Sequence, residues 1–232
     1  MMLSALFNTC VRNVHAWAGE DCLLCGGEGG PELLCSACIA ELPALPESCL
    51  RCALPSPAAA LCGSCLNHPP HFDTTLALWR YEFPCDRLVQ ALKYRGRLAL
   101  AGFFARSLAS RPMPEVDLIV PMPLHPKRLA DRGFNQAREV ARGLARHLRR
   151  PIEASGVLRV KDTMPQTELP YEERAKNVRG AFLCKVDLSG ASVAVLDDVM
   201  TTGATLNELA RALKRAGAIR VENFVIARTV PR

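Results

Sequence analysis

The stretch Val193-Ala-Val-Leu-Asp197-Asp198-Val-Met-Thr201-Thr202-Gly203-Ala204-Thr205-Leu206 begins as an apolar strand and ends in two adjacent carboxylates. A small polar loop with one glycine follows, and a helix starts with Thr205 near its cap. Backbone N–H groups at a helix start, helped by the hydroxyls of Thr201, Thr202 and Thr205, suit a phosphate monoester, and Gly203 lets the backbone approach it closely. Asp197 and Asp198 stand where open α/β sheets bind ligands and suit the hydroxyls of a ribose. Phosphate on one side and diol on the other describe a ribose 5-phosphate. The loop lacks the Gly-x-x-x-x-Gly-Lys of a Walker A motif and the Gly-x-Gly-x-x-Gly of a dinucleotide site. An ordinary acidic strand end is the bland alternative.

Outward from this segment, strand-like and helical runs alternate. Strands are predicted at 74–81, 117–120, 157–160, 181–186, 193–196 and 221–227. Helices are predicted at 86–93, 98–109, 135–148 and 205–216, and residues 161–179 are polar without a pattern. Ala137, Val140, Ala141, Leu144 and Leu148 share one face of the 135–148 helix. Alternation of this kind predicts an α/β fold with a mainly parallel sheet flanked by helices.

The front of the chain differs in kind. Of the 11 cysteines, eight form four Cys-x-x-Cys pairs: Cys22/Cys25, Cys35/Cys38, Cys49/Cys52 and Cys62/Cys65. Each such turn offers two sulfurs to one ion, and two turns complete a four-thiolate tetrahedral site. Four turns make two structural zinc sites. Near-equal spacers favour sequential pairing, with Cys22, Cys25, Cys35 and Cys38 on one ion and Cys49, Cys52, Cys62 and Cys65 on the other; an interleaved arrangement, disulfides and iron–sulfur ligation remain open. Cys10, Cys85 and Cys184 need no functional role.

Charge divides along the same line. Two of the 29 basic and six of the 23 acidic residues lie in 1–70, so residues 71–232 hold 27 basic against 17 acidic. A proline pair at Pro69-Pro70 marks the junction, and two domains follow: 1–70, a small cysteine-rich module, and 71–232, the α/β domain. The 49% hydrophobic and 22% charged composition excludes a disordered chain. No run approaches the ~18–20 apolar residues of a membrane span, and the start lacks a secretory pattern, so a cytoplasmic protein is expected.

The segment 193–206 resembles the phosphoribosyl pyrophosphate (PRPP) motif of type I phosphoribosyltransferases. With the cysteine-rich front and the segment Val120-Pro-Met-Pro123 through Arg132-Gly-Phe-Asn-Gln136, the chain resembles the ComF/GntX family, phosphoribosyltransferase-like proteins linked to DNA uptake in natural competence and to the use of external DNA. That resemblance implies a type I phosphoribosyltransferase-like fold behind a double zinc ribbon. It also implies PRPP bound with Mg²⁺ through Asp197, Asp198, Thr201, Thr202, Gly203, Ala204 and Thr205. By comparison with such enzymes, Lys127, Arg128 and Arg132 follow a strand where a pyrophosphate loop is found, although prolines there remove N–H donors. Gln166, Arg174 and Asn177 fall where the mobile loop closes over PRPP. A solvated basic turn and a plain surface loop are the respective alternatives.

Three functions remain: a PRPP-binding protein of DNA uptake that handles single-stranded DNA, a phosphoribosyltransferase with an unknown acceptor, and a PRPP sensor without turnover. The basic second part suits a polyanion. Aromatics at 6% limit a base-stacking platform to Trp79, Tyr81, Tyr94 and Phe134. No residue stands out as a catalytic base; His125 and His147 read as surface or structural.

Overall fold

The computed structural model describes residues 21–30, 33–163 and 173–231. Two compact units divide between Leu42 and Pro43. The first contains a Cys-x-x-Cys turn at Cys22–Cys25 and a second that opens the short helix α1 (Ser36–Ala40). The second cysteine set, with helix α2 (Gly63–Asn67), belongs to the same compact unit as the sheet.

The sheet has four parallel strands in the order β1-β6-β5-β2: β1 (Thr74–Arg80), β6 (Arg220–Arg228), β5 (Ser192–Met200) and β2 (Leu118–Pro121). This is the mainly parallel α/β fold the alternation predicts. Central β5 and β6 bury Val193 to Leu196 and Val221 to Arg228, the continuous burial expected of strands covered on both faces. β5 continues through both aspartates, past the predicted end at Leu196, because the ladder with β6 carries on through Asp197↔Val225, Val199↔Ala227 and Met200↔Arg228.

Edge strand β1 would expose unpaired backbone groups, but the second cysteine segment covers them. Thr75 N–H donates to the Leu50 carbonyl at 3.0 Å, and Arg80 N–H to the Pro43 carbonyl at 2.8 Å. Thr75 Oγ1 donates to the Arg51 carbonyl at 2.7 Å.

Helices α3 (Cys85–Arg95), α4 (Ala99–Ala109) and α6 (Gln136–Leu148) lie within two residues of their predicted bounds. On α6, Ala137, Val140, Ala141, Gly143 and Leu144 are buried. A Cβ on Gly143 would lie 2.5 Å from Ala105 Cβ of α4, so glycine sets how closely these helices cross. Between β2 and α6 the chain forms α5 (Pro126–Arg132), where the sequence suggests a pyrophosphate loop or a solvated basic turn rather than a helix. β3 (Val157–Arg159) and β4 (Phe182–Cys184) make a separate antiparallel pair, followed in space by α7 (Glu173–Val178) against α8 (Ala204–Arg215).

Candidate functional site

The loop predicted to hold phosphate sits at the carboxyl end of β5. Thr201 and Thr202 leave the strand, and Gly203 caps α8 with φ of 82°, a left-handed geometry that favours glycine. A Cβ there would also meet Met200 Cε at 2.7 Å. Thr202 Oγ1 accepts from Ala204 N–H at 3.2 Å, and Thr205 lies in the first turn of α8. The first turn of a twelve-residue helix thus opens beside the threonines, with Thr202 holding its first N–H.

The two carboxylates are not equivalent. Asp198 is 5% exposed and accepts from Lys93 Nζ at 3.0 Å, Gln136 Nε2 at 3.1 Å and Val199 N–H at 2.8 Å. Desolvation opposes its charge, but the Lys93 ammonium and these donors outweigh it and hold the carboxyl below its ordinary range. Asp197 accepts from Asp198 N–H at 2.8 Å. Desolvation and then the neighbouring Asp198 charge push it up to about 7, against the pull of Lys93 and Arg159. On the lysine side, burial works against the ammonium, yet Asp198 keeps its pKa above the ordinary value.

The predicted pyrophosphate cations separate. Arg132 donates from Nη1 to Gln136 Oε1 and lies 5.6 Å from the centre of the Tyr94 ring, so it joins the aspartate network through Gln136. Lys127 Nζ lies 3.7 Å from Asp162, and Arg128 donates to the Thr163 carbonyl at 2.9 Å. Gln166 lies outside the described residues, Arg174 is described only as part of the α7 backbone, and Asn177 is half-buried on α7.

Lys93, Gln136 and Arg159 were not among the predicted site residues. Gln136 begins α6 behind Asn135, whose side chain caps Arg138 N–H and donates to the Met122 carbonyl at 3.0 Å. Arg159 is buried, donates to Thr163 Oγ1 and lies 5.6 Å from the Phe182 ring centre. Its one sequence signal is a cation inside the apolar run Val157-Leu-Arg-Val160. Of the proposed stacking aromatics, Trp79 is core, parallel to Phe103 at 5.9 Å between centroids, while Tyr94 is 69% exposed.

A cavity of about 720 Å³ opens beside this cluster, lined by Pro121, Leu129, Phe134, Arg138 and Arg159 among others. On the other side, Arg228 is 2% exposed at the end of β6. It donates from Nε to the Cys52 carbonyl at 2.8 Å and from Nη1 to the Met200 carbonyl at 2.9 Å and the Thr201 carbonyl. One guanidinium therefore joins a cysteine turn to the start of the Thr201–Thr205 loop.

Both cysteine sets gather as the sequential pairing requires: Cys22, Cys25, Cys35 and Cys38, and Cys49, Cys52, Cys62 and Cys65, each with all four sulfurs within 4.8 Å of one another. A tetrahedral zinc at about 2.3 Å per bond sets sulfurs about 3.8 Å apart. Cys25 and Cys35 are 3.8 Å apart, Cys52 and Cys62 3.6 Å. Cys35 N–H and Cys62 N–H point at Cys22 and Cys49 sulfurs at 3.4 and 3.3 Å, stabilising thiolates. The described cysteines are unbridged, which removes disulfides from the alternatives for these eight. Both sets fit zinc and leave no open position. Cys85 is buried in the core, and its thiol is pushed up to about 12 by that burial.

Residues 17–66 match the family described as a double zinc ribbon domain. The DNA utilization protein YhgH of Salmonella typhi is 32% identical over 206 residues, 85% of this chain and 91% of that protein. Competence protein F of Haemophilus influenzae Rd is 32% identical over 84% of this chain and 90% of its own length. The chain belongs to the ComF/GntX family. A more distant relative is competence protein ComFC of Bacillus subtilis 168, 26% identical over 85% of both chains. Among solved structures, the ComF/GntX chain is similar to the glutamine PRPP amidotransferase from B. subtilis complexed with ADP and GMP (19% identity, TM-score 0.42, 59% of this chain and 30% of that one). It is also similar to a purine phosphoribosyltransferase from Pyrococcus horikoshii Ot3 (15% identity, TM-score 0.32, 68% and 91%). Both likenesses are loose, and the strand order itself defines the fold of this ComF/GntX protein.

Proposed function

We propose that the protein binds PRPP with Mg²⁺ and acts in DNA uptake or utilisation, with single-stranded DNA as its macromolecular partner. The observation that carries the PRPP reading is the Thr201–Thr205 turn, which opens α8 from a left-handed Gly203 directly after two carboxylates on a parallel strand. The start of α8 and the hydroxyls of Thr201, Thr202 and Thr205 hold the 5-phosphate. Asp197 takes the ribose hydroxyls, because Asp198 is already engaged by Lys93 and Gln136. Arg132 reaches toward the diphosphate end through its place beside Gln136.

Among the described residues, the groups that gather metal ligands are the two cysteine sets. Asp197 would be the carboxylate available to a magnesium ion bound with the diphosphate, a common mode for Mg²⁺ at phosphates. The ion would supply neutralisation of the diphosphate charge. The DNA part of the reading is supported by the names of the relatives, a DNA utilization protein and a competence protein.

Titration calorimetry with Mg–PRPP tests the site. Binding should weaken at least tenfold in Asp197→Ala, and undiminished affinity would overturn the assignment. A transferase reading is favoured by the 720 Å³ cavity, which places apolar walls beside Arg159 where an acceptor ring fits. Pyrophosphate release dependent on an added nucleobase would establish it, and PRPP binding without release across such acceptors would leave the protein a binder.

A further inference from the structure

We propose that the solvent face of α6 and the turn after it form a docking surface for the phosphates of single-stranded nucleic acid. The inference rests on the DNA reading above and assigns it a place on the molecule.

α6 buries its apolar face and exposes Arg138, Arg142 and Arg146, one every fourth residue. At 1.5 Å rise per residue, that makes a straight row of guanidinium groups about 6 Å apart along the helix. The row continues into Arg149, which ends the helix in a left-handed conformation (φ 54°), and Arg150; both are exposed. Arg142, Arg146, Arg149 and Arg150, with Ala145 and Ile152, frame an open groove of about 690 Å³.

Among the described residues, one carboxylate pairs with this row: Glu139, 2.7 Å from Arg142. Like charges four apart repel each other along a helix, so the row opposes the stability of α6. The helix dipole favours cations near the carboxyl end and thus accounts for Arg146, Arg149 and Arg150, but it disfavours Arg138 in the first turn. A polyanion accounts for all five. Every cation in the row is arginine, whose planar fork grips phosphate oxygens in pairs.

One feature selects a single strand. At its amino-terminal end the row enters the 720 Å³ cavity, where Arg138 and Arg142 line the same space as Phe134, Leu129 and Pro123. An unstacked base fits against those apolar groups, and a duplex offers none. The carboxyl-terminal end of the row stands clear of Gln136 and its bond to Asp198, because ten residues of helix separate Gln136 from Arg146, about 15 Å.

Fluorescence anisotropy with a labelled oligothymidylate, read as a function of salt, is the test. The wild type should bind at low salt. Arg146→Ala/Arg149→Ala/Arg150→Ala should bind about tenfold or more weakly and lower the log–log salt slope by about 2, three contacts at ~0.7 each. The same three positions changed to Lys should keep the slope within about half a unit, and circular dichroism should show all variants folded. Wild-type binding with an unchanged slope in the alanine variant would overturn this surface while leaving the DNA reading in place. No wild-type binding at low salt would overturn both, and equal or tighter binding of a blunt duplex would overturn the choice of a single strand.

Discussion

At Asp198 a lysine, a glutamine and a backbone N–H converge on one buried carboxylate, and its neighbour Asp197 is left to titrate. The consequence is a division of labour: Asp198 is ionised throughout the ordinary pH range and fixes Lys93 and Gln136, while Asp197 changes charge near neutrality. The linkage has a definite sign. Below about pH 4, folded and unfolded chains both hold the Asp197 proton. Between there and about 7 the unfolded chain has released it and the folded chain has not, so stability falls as pH rises through that window. Asp197→Asn keeps the acceptor for Asp198 N–H and removes the titration. Its melting temperature should match the wild type at pH 4 and exceed it at pH 8 by at least about 2–4 °C, the equivalent of ~1 kcal/mol in a chain of this size. Parallel melting profiles from pH 4 to 8 would show that Asp197 is not perturbed. The aspartates and the threonine loop are legible in the sequence because strand, loop and helix cap are contiguous. Lys93 and Arg159 are not, since each reaches the site from a distant element and carries no local pattern that says so.

Among the elements, α6 is read almost to the residue because its buried face repeats with helical period and Asn135 caps it. α5 is not read as a helix, although Pro126 at its first position and Gly133 (φ 80°) after its last are ordinary start and stop signals. Seven residues with no buried side chain leave no periodic stripe to notice. β5 shows the opposite fault: polarity suggested an end at Leu196, while pairing with β6 holds the backbone extended to Met200. The crossing of α4 and α6 yields a measurable consequence. Gly143→Ala places a methyl 2.5 Å from Ala105 Cβ, so the helices must separate. The change should cost about 1–3 kcal/mol by the overpacking mechanism, despite alanine's better helix propensity. Urea unfolding should show a lower midpoint with an unchanged slope, partly restored by Ala105→Gly in the same chain. A midpoint equal to or above the wild type would mean that the helices are free to shift apart.

For the whole molecule, composition places a boundary near residue 70, whereas compactness divides the chain between Leu42 and Pro43. Charge and cysteine spacing follow the ribbon as a sequence unit; they are blind to the hydrogen bonds from β1 and β6 that bring residues 43–70 onto the sheet. Arg228 is the link that spans both sides, because its buried guanidinium donates to Cys52 on one and to Met200 and Thr201 on the other. Zinc held by Cys49, Cys52, Cys62 and Cys65 would fix the Cys52 carbonyl, and Arg228 would carry that order to the start of the Thr201–Thr205 loop. Cys62→Ser/Cys65→Ser should lower the metal content from about two zinc ions per chain to about one. In that variant, amides of residues 200–203 should exchange hydrogen at least about tenfold faster, since local opening tracks lost order, and α6 should keep wild-type protection. Unchanged exchange at the loop in a chain shown to hold one zinc would mean that Arg228 is held by the sheet alone. Accelerated exchange in both segments would report general unfolding in place of coupling.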